Sequence, residues 1–433
     1  MREAVRPTTR RAAKSPSVAR HGRLGRHSAW KTAAKAVASV VAVALVSGSA
    51  VAAYAAFDLA SSLKPTITLD NEAVLDGVPD VGAIEGGVNL LVIGSDSREG
   101  QGDAFGDPDE ETAVLNDVTM LMHIAEDHSH ASVISFPRDM LVDVPACTDP
   151  EDPAGDPLYE QYGVKMNSVL DYGGMPCVVK TVEQITGLTI PFAGTVQFLG
   201  VAGLSEAVGG VEVCVAEPIV DEHTDLNLSA GTHSLRGMDA LQFLRTRHGV
   251  GDGSDLGRIS NQQVFLSSLT RKLQNGGTLG DPVALYSIAK AALSNMQLSS
   301  SLVDATRMVS IAKALKDTDL SKIAFIQYPT GYTDDGGAVV PSESALLINT
   351  ALQEDLPVIF DPAAGEASFA SAADPNAPVE EAPVEEAPVE EAPVEEAPAT
   401  DSPAAPAPTA EALPSDVTGQ TAAETRCSVA NDG

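Results

Sequence analysis

Between Val81 and Thr270 the chain carries only eight cationic side chains: Arg98, Arg138, Lys165, Lys180, Arg236, Arg245, Arg247 and Arg258. Their positions are not those of a solvating scatter. Arg98 follows an apolar run, and Arg138 sits in Ser-Phe-Pro-Arg-Asp after another. Arg245 and Arg247 form an Arg-x-Arg just before a glycine-rich loop, and Arg258 opens a helical pattern. A planar guanidinium takes two phosphate oxygens side by side, so several of them at strand and helix junctions suit a pyrophosphate. Taken singly, each arginine reads better as half of a surface salt bridge. Taken together, they read as a ligand site.

Two acids complete the constellation. Asp96 lies in the loop after the first apolar run and Asp117 directly before the next. If those runs are neighbouring strands, the carboxylates meet at one edge, where two Asp oxygens and substrate phosphates suit Mg²⁺ (or Mn²⁺). A turn or N-cap role for either Asp is the competing reading. His123, His128 and His130 straddle a turn, and we expect a solvent-facing hairpin there rather than a zinc site. No G-x-S-x-G, H-E-x-x-H or Walker loop is present, which removes the common serine-hydrolase, zincin and NTPase signatures.

The elements that must position these residues follow from periodicity. Leu90 to Ile93 is a short buried-strand run ending at Gly94, and a Gly- and Asp-rich loop from Gly100 to Glu111 comes next. DVTMLMHI and ASVISFP read as two strands joined through EDHSH. Helical spacing appears from Val178 to Ile185, closed by Gly187, and again from Leu199 to Val208, closed by Gly209-Gly210. Strands are expected at Pro191 to Phe198, VEVCV and IAFIQYP, and helices near Met238 to Leu244, Arg258 to Leu273, Val283 to Ser294 and Leu302 to Leu315. Strands alternating with helices define an α/β class, a mainly mixed central sheet between helical layers. In such sheets ligands bind beyond the carboxyl ends of strands, where the arginines fall.

The flanks place this domain. The first 35 residues hold ten Lys and Arg against one Glu, and residues 36–57 carry no charge at all. That is long enough to cross a bilayer, and the basic lead keeps its own side cytoplasmic. We expect a basic cytoplasmic segment (1–35), a transmembrane helix (36–57), a polar juxtamembrane linker (58–85), an extracellular catalytic domain (86–361) and a disordered tail (362–433). A cleaved signal peptide is the alternative, and it exports the rest equally. The tail is Ala-, Pro- and Glu-rich, with VEEAP four times over 379–398, a composition that cannot build a core. The formal net charge of −33 excludes a nucleic-acid partner. Four cysteines in an exported domain allow three pairings; Cys147 with Cys177 is preferred, since each follows a turn-forming stretch.

In order along the chain, NLLVIGSDSREG, NDVTMLMHI, ISFPRDMLVDVP, KMNSVLDYGG, VEQITGL, AVGGVEVCV, LSAGTHSLRGMDALQFLRTRH and DGSDLGRISNQQVFL resemble the LytR-CpsA-Psr family of cell-envelope proteins. The resemblance covers roughly Asn89 to Leu269. It implies an apolar pocket for a polyprenyl chain and a phosphotransferase that moves a glycopolymer from polyprenyl pyrophosphate to a peptidoglycan hydroxyl. It also implies Asp96 and Asp117 as Mg²⁺-associated acids. Arg98, Arg138, Arg245, Arg247 and Arg258 match the pyrophosphate clamp, and Lys165 with Asn167 match a Lys-Ile-Asn motif. Asp139, Asp255 and Gln262 match further family positions. The chain departs from the pattern twice: the Arg-Ser-Asp-Thr block reads Leu115-Asn116-Asp117-Val118-Thr119, which lacks the arginine and keeps Asp117, and Arg-Gln-Gln reads Asn261-Gln262-Gln263, which lacks another cation. Competing functions are a non-catalytic carrier-binding or regulatory module, and a hydrolase releasing the pyrophosphate to water.

Overall fold

The computed structural model describes residues 29–75, 87–102, 105, 110, 112–275, 281–360, 370–371 and 413–431. The chain divides into two units, residues 1–58 and 59–433. In the first, α1 (Ala29–Ser61) contains the uncharged run and begins before it. It is long and apolar enough to cross a membrane.

The second unit opens with β1 (Val88–Ser95), β2 (Asn116–Ile124) and β3 (Ala131–Phe136). A small pair, β4 (Leu141–Val144) and β5 (Gln161–Lys165), leads into α2 (Val169–Thr186). Then come β6 (Phe192–Val196), α3 (Phe198–Ala207), β7 (Val211–Val215), β8 (Ile219–Asp221), β9 (Leu226–Leu228) and β10 (Gly231–Leu235). The helices α4 (Met238–Arg245), α5 (Asp255–Asn275) and α6 (Pro282–Asn295) follow, then β11 (Met296–Leu298), α7 (Ala305–Asp317) and β12 (Ile323–Gln327). The pair β13 (Thr330–Tyr332) and β14 (Val339–Pro341) precedes α8 (Ala345–Gln353). Three short strands end the chain: β15 (Ala370–Ser371), β16 (Gly419–Thr421) and β17 (Arg426–Ser428).

Seven strands form a mixed sheet in the order β11-β6-β1-β2-β3-β12-β16. Pairing is antiparallel in β1–β2 and β2–β3, and parallel in β1–β6 and β3–β12. Alternation along each strand splits the core in two. Leu91, Ile93, Leu121 and Ile134 face α2 and α8 through Val178, Val182 and Ile348. Val88, Ile124, Phe192 and Phe325 face α6 and α7 through Leu293, Ile311 and Ala314. Because both faces are covered, these strands read as apolar runs rather than alternating ones. This is the three-layer α/β arrangement expected. Gly187 ends α2 at φ 72°, donating its N–H to Glu183, and Asp281 caps α6 with Pro282 in its first turn.

A second sheet, β10-β7-β17-β15, packs Val211, Val213 and Leu235 on α4 and α5 through Phe243 and Phe265. It revises the expected tail. Residues 413–431 belong to the folded unit: β16 extends the main sheet beside β12, and β17 runs parallel to β7. Cys427 is joined to Cys214, and Cys147 to Cys177. Composition averaged over 362–433 hides these few pairing residues behind the Pro-Glu repeats, which lie outside the described residues.

Two further expectations change. Within the expected linker at 58–85, residues 67–75 pack into the domain: Leu69 and Leu75 are buried, Ile67 bridges to Ser299, and Glu72 accepts hydrogen bonds from Ser300 and Ser301, while 76–85 lie outside the described residues. The hairpin histidines are not solvent-facing: His123 and His130 are 1% and 3% exposed. The β2–β3 turn is covered by the chain leaving α8, where Asp355 meets His123, a contact 232 residues apart in sequence that strand alternation cannot foresee.

Candidate active site

The site lies where β1, β2 and β3 meet the loop after α4 and the start of α5. Its first feature is a bulge. β1 and β2 pair residue for residue up to Gly94–Val118, then shift so that Ser95 opposes Asn116. Asp117 is the extra residue, released from the ladder. Gly94 permits the close approach, because a Cβ there would stand 2.8 Å from the Val118 Cβ. Asn116, which precedes Asp117 and follows the Leu115 that stands at the family's arginine position, ties the bulge down: its amide donates to Thr119 and its side-chain oxygen accepts the Leu170 N–H.

Around Asp117 the charges interlock. Arg138 Nη1 donates to Asp117 Oδ1 at 2.8 Å, and Arg258 Nη2 donates to the Asp117 carbonyl at 2.6 Å. Asp255, at the start of α5, accepts the Arg138 backbone N–H at 2.9 Å and pairs with Arg258 at 2.5 Å. Lys165 holds Asp139 at 2.7 Å. The Asn167 backbone N–H donates to the Arg138 carbonyl. Burial alone would raise Asp139, but Lys165 and Arg138 hold it below the ordinary carboxylate range. Burial raises Asp96, as does repulsion from Asp117, although the Leu115 N–H donates to it at 2.6 Å.

The Arg-x-Arg segment leaves the end of α4. Arg245 stacks over the Phe198 ring at 4.3 Å, a cation–π contact. Burial lowers its pKa, and it lies in the field of Asp117, Arg98, Asp96 and Arg258. Gln262 does not point freely at a ligand; its amide caps the Leu244 carbonyl, as Asn261 caps Phe243. Asn261, where the family pattern has an arginine, thus holds the end of α4.

Beneath these charges opens a cavity of about 550 Å³. Asp117, Arg138, Arg245, Arg247, Arg258 and Gln262 line its mouth, and Val92, Met120, Leu204, Leu241, Phe265 and Leu269 are among its apolar walls. The sequence-chosen residues therefore converge. Arg98 stands beside them by its electrostatic effect on Asp96 and Arg245. Three participants escaped sequence reading. Asp221 accepts from the Thr246 hydroxyl and the Arg247 N–H, while His223 and His248 stack at 4.5 Å on the cavity rim. The Asp preceding Glu-His-Thr carried no signal beyond its turn position.

A three-layer α/β domain with an arginine–aspartate crevice above an apolar cavity is the class this fold and site define. The LytR_cpsA_psr family model matches residues 54–353, and the chain belongs to that family. The cell wall biosynthesis protein LcpA of Corynebacterium glutamicum is 27% identical over 319 residues, covering 67% of this chain and 58% of LcpA. The chain thus spans little more than half of that relative. TagT of Bacillus subtilis, named a polyisoprenyl-teichoic acid–peptidoglycan teichoic acid transferase, is 25% identical over 307 residues, covering 69% of this chain and 87% of TagT. Among solved structures, a LytR-Csp2A-Psr enzyme from Actinomyces oris is similar with TM-score 0.49 at 21% identity, over 62% of this chain and 90% of that one.

Proposed function

We propose that the protein is a phosphotransferase that moves a glycopolymer from a polyprenyl-pyrophosphate carrier to peptidoglycan, outside the plasma membrane. The observation that carries this reading is the apolar cavity whose lining also includes the guanidinium groups of Arg138, Arg245, Arg247 and Arg258. A polyprenyl chain fits the walls, and its pyrophosphate then meets Arg138, Arg245, Arg247 and Arg258. Relatives named as transferases of teichoic acid to peptidoglycan support the class of donor and acceptor. In this reading α1 is the anchor, with the basic residues 1–35 on the cytoplasmic side.

The acceptor hydroxyl attacks the phosphorus that carries the sugar. A new P–O bond forms, the bridging P–O bond breaks, and polyprenyl phosphate leaves. The arginines gain most where charge builds on the bridging and leaving oxygens, held in place rather than recruited from solvent. The buried Nε of Arg258 has no hydrogen-bond acceptor among the described residues, whereas Arg138 Nε faces Asp139 and Asp255 at 3.6 and 3.8 Å. Asp96 and Asp117 fit Mg²⁺ or Mn²⁺: burial and mutual repulsion penalise the Asp96 charge, and a divalent cation offsets both. When bound, the ion neutralises phosphate charge as a Lewis acid. Asp139, held by Lys165 at 2.7 Å, and Asp96 are the two acids placed to take the hydroxyl proton.

The test is transfer from a lipid-linked donor by the full chain purified from membranes. Arg245→Ala and Arg247→Ala should each lower the rate by about 10²–10³-fold while the protein stays folded. Full activity in both refutes the clamp. Phosphate release without acceptor would mark a hydrolase, and carrier binding without turnover a binding module.

A further inference from the structure

The buried end of the β2–β3 hairpin holds a second cluster, about 20 Å from Asp117 along β2 at ~3.3 Å per residue. His123 Nδ1 lies 2.8 Å from Asn89 Oδ1, and the Asn89 amide nitrogen donates to the Thr189 carbonyl at 2.9 Å. The second bond fixes the Asn89 amide, so its oxygen must accept from His123 Nδ1–H. In the neutral ring, Nε2 then carries the lone pair. That lone pair faces Asp355 Oδ1 at 3.0 Å, an acceptor against an acceptor. A cation must lie between them, either a proton or a metal ion.

The third residue decides between these. His130 is 3% exposed, and its buried Nε2 has no hydrogen-bond partner among the described residues. Its Nδ1 meets the Ser129 hydroxyl at 3.0 Å. The Leu356 backbone approaches the ring without completing a bond to Nε2. One ligand atom from each of His123, His130 and Asp355 lies within 4.8 Å of the others. A proton shared by His123 and Asp355 leaves His130 orphaned; a metal ion uses all three.

We propose that His123 Nε2, His130 Nε2 and Asp355 Oδ1 bind a divalent transition-metal ion of the zinc class, clamping the β2–β3 turn to the chain leaving α8. Two imidazoles and one carboxylate are a zinc donor set, with ligand bonds of about 2.0–2.2 Å. Closing on the ion needs a contraction of about 1.5 Å between the farthest ligand atoms, to the ~3.3 Å of a tetrahedral site. Outer partners are already in place. Asn89 orients His123, and the Glu126 N–H donates to Asp355 Oδ2 at 3.0 Å, leaving Oδ1 as the ligand oxygen. The Asp355 side chain is 27% exposed, which gives the ion a path in. The clamp is structural, since it stands about 20 Å from Asp117 along β2.

Chelator-stripped full chain in detergent would be titrated with Co²⁺ and Zn²⁺. We expect the visible bands of tetrahedral Co²⁺ at one equivalent, their loss on adding Zn²⁺, and a melting temperature that rises with Zn²⁺. His130→Gln and Asp355→Asn should each weaken binding by at least about tenfold. Asn suits the φ of 56° at position 355, so that change adds no backbone strain. The His223→Ala/His248→Ala double variant should bind as before. The proposal is overturned if no bands appear, if both ligand variants bind unchanged, or if the His223/His248 change abolishes the signal. The readout is spectroscopic and does not depend on the transferase reading.

Discussion

Where the Arg-x-Arg segment leaves α4, its backbone is held by one buried acid. Asp221 accepts the Thr246 hydroxyl at 2.6 Å and the N–H groups of Arg247 and His223. Burial would raise its pKa, but these donors together hold it below the ordinary carboxylate range. A depressed carboxyl contributes stability that is present above its unfolded pKa and lost as pH falls through the folded one. The contribution of Asp221 should therefore be full above about pH 4 and fade below it. Denaturant midpoints across that window should fall more steeply in the parent than in Asp221→Asn. The same variant should lose transfer at pH 7, because Arg247 is no longer aimed. Gly94→Ala makes a second residue-scale prediction. The added methyl meets Val118, so the bulge that frees Asp117 must shift, at a cost of about 1–3 kcal/mol; a denaturant midpoint equal to the parent's would contradict the close approach.

At the scale of elements, the C-terminal strands brace the crevice from behind. β17 adds to β7, and the chain beyond it bonds the glycine-rich loop: Gly251 N–H to the Val429 carbonyl, and Asn431 N–H to the Gly249 carbonyl. Ser428 donates to Asn261, which caps α4. A chain ending at residue 412 should lose these contacts and the edge cover of β12. We expect its transfer activity to collapse and its protease resistance to fall, measured against the full chain. The Cys214–Cys427 bridge closes a separation of 213 residues. Replacing both cysteines with Ser should lower unfolding free energy by about 2–5 kcal/mol, read from denaturant midpoints under non-reducing conditions. An unchanged midpoint would mean that strand pairing alone holds the terminus.

Over the whole molecule, charge and greasiness are segregated. Ten cations precede the uncharged run at 36–57, and acids dominate after it. Deleting residues 1–57 should release a soluble domain that melts as the full chain does, checked by fractionation and thermal unfolding. Removing the VEEAP repeats at 379–398 should leave the unfolding midpoint unchanged, since their composition supplies no core.

The chain itself determined the layered α/β class, most elements, the membrane-length helix and the crevice residues. Buried strands in a doubly covered sheet are apolar runs, and scarce arginines at their ends stand out against an acidic background. Tertiary structure decided what depends on contacts distant in sequence. The bulge that releases Asp117 comes from β1–β2 register, and β17 finds β7 across more than 200 residues. His123 and His130 read as hairpin surface until Asp355 arrives from beyond α8. Burial of a polar side chain is set by whichever segment covers it, and local periodicity carries no record of that segment.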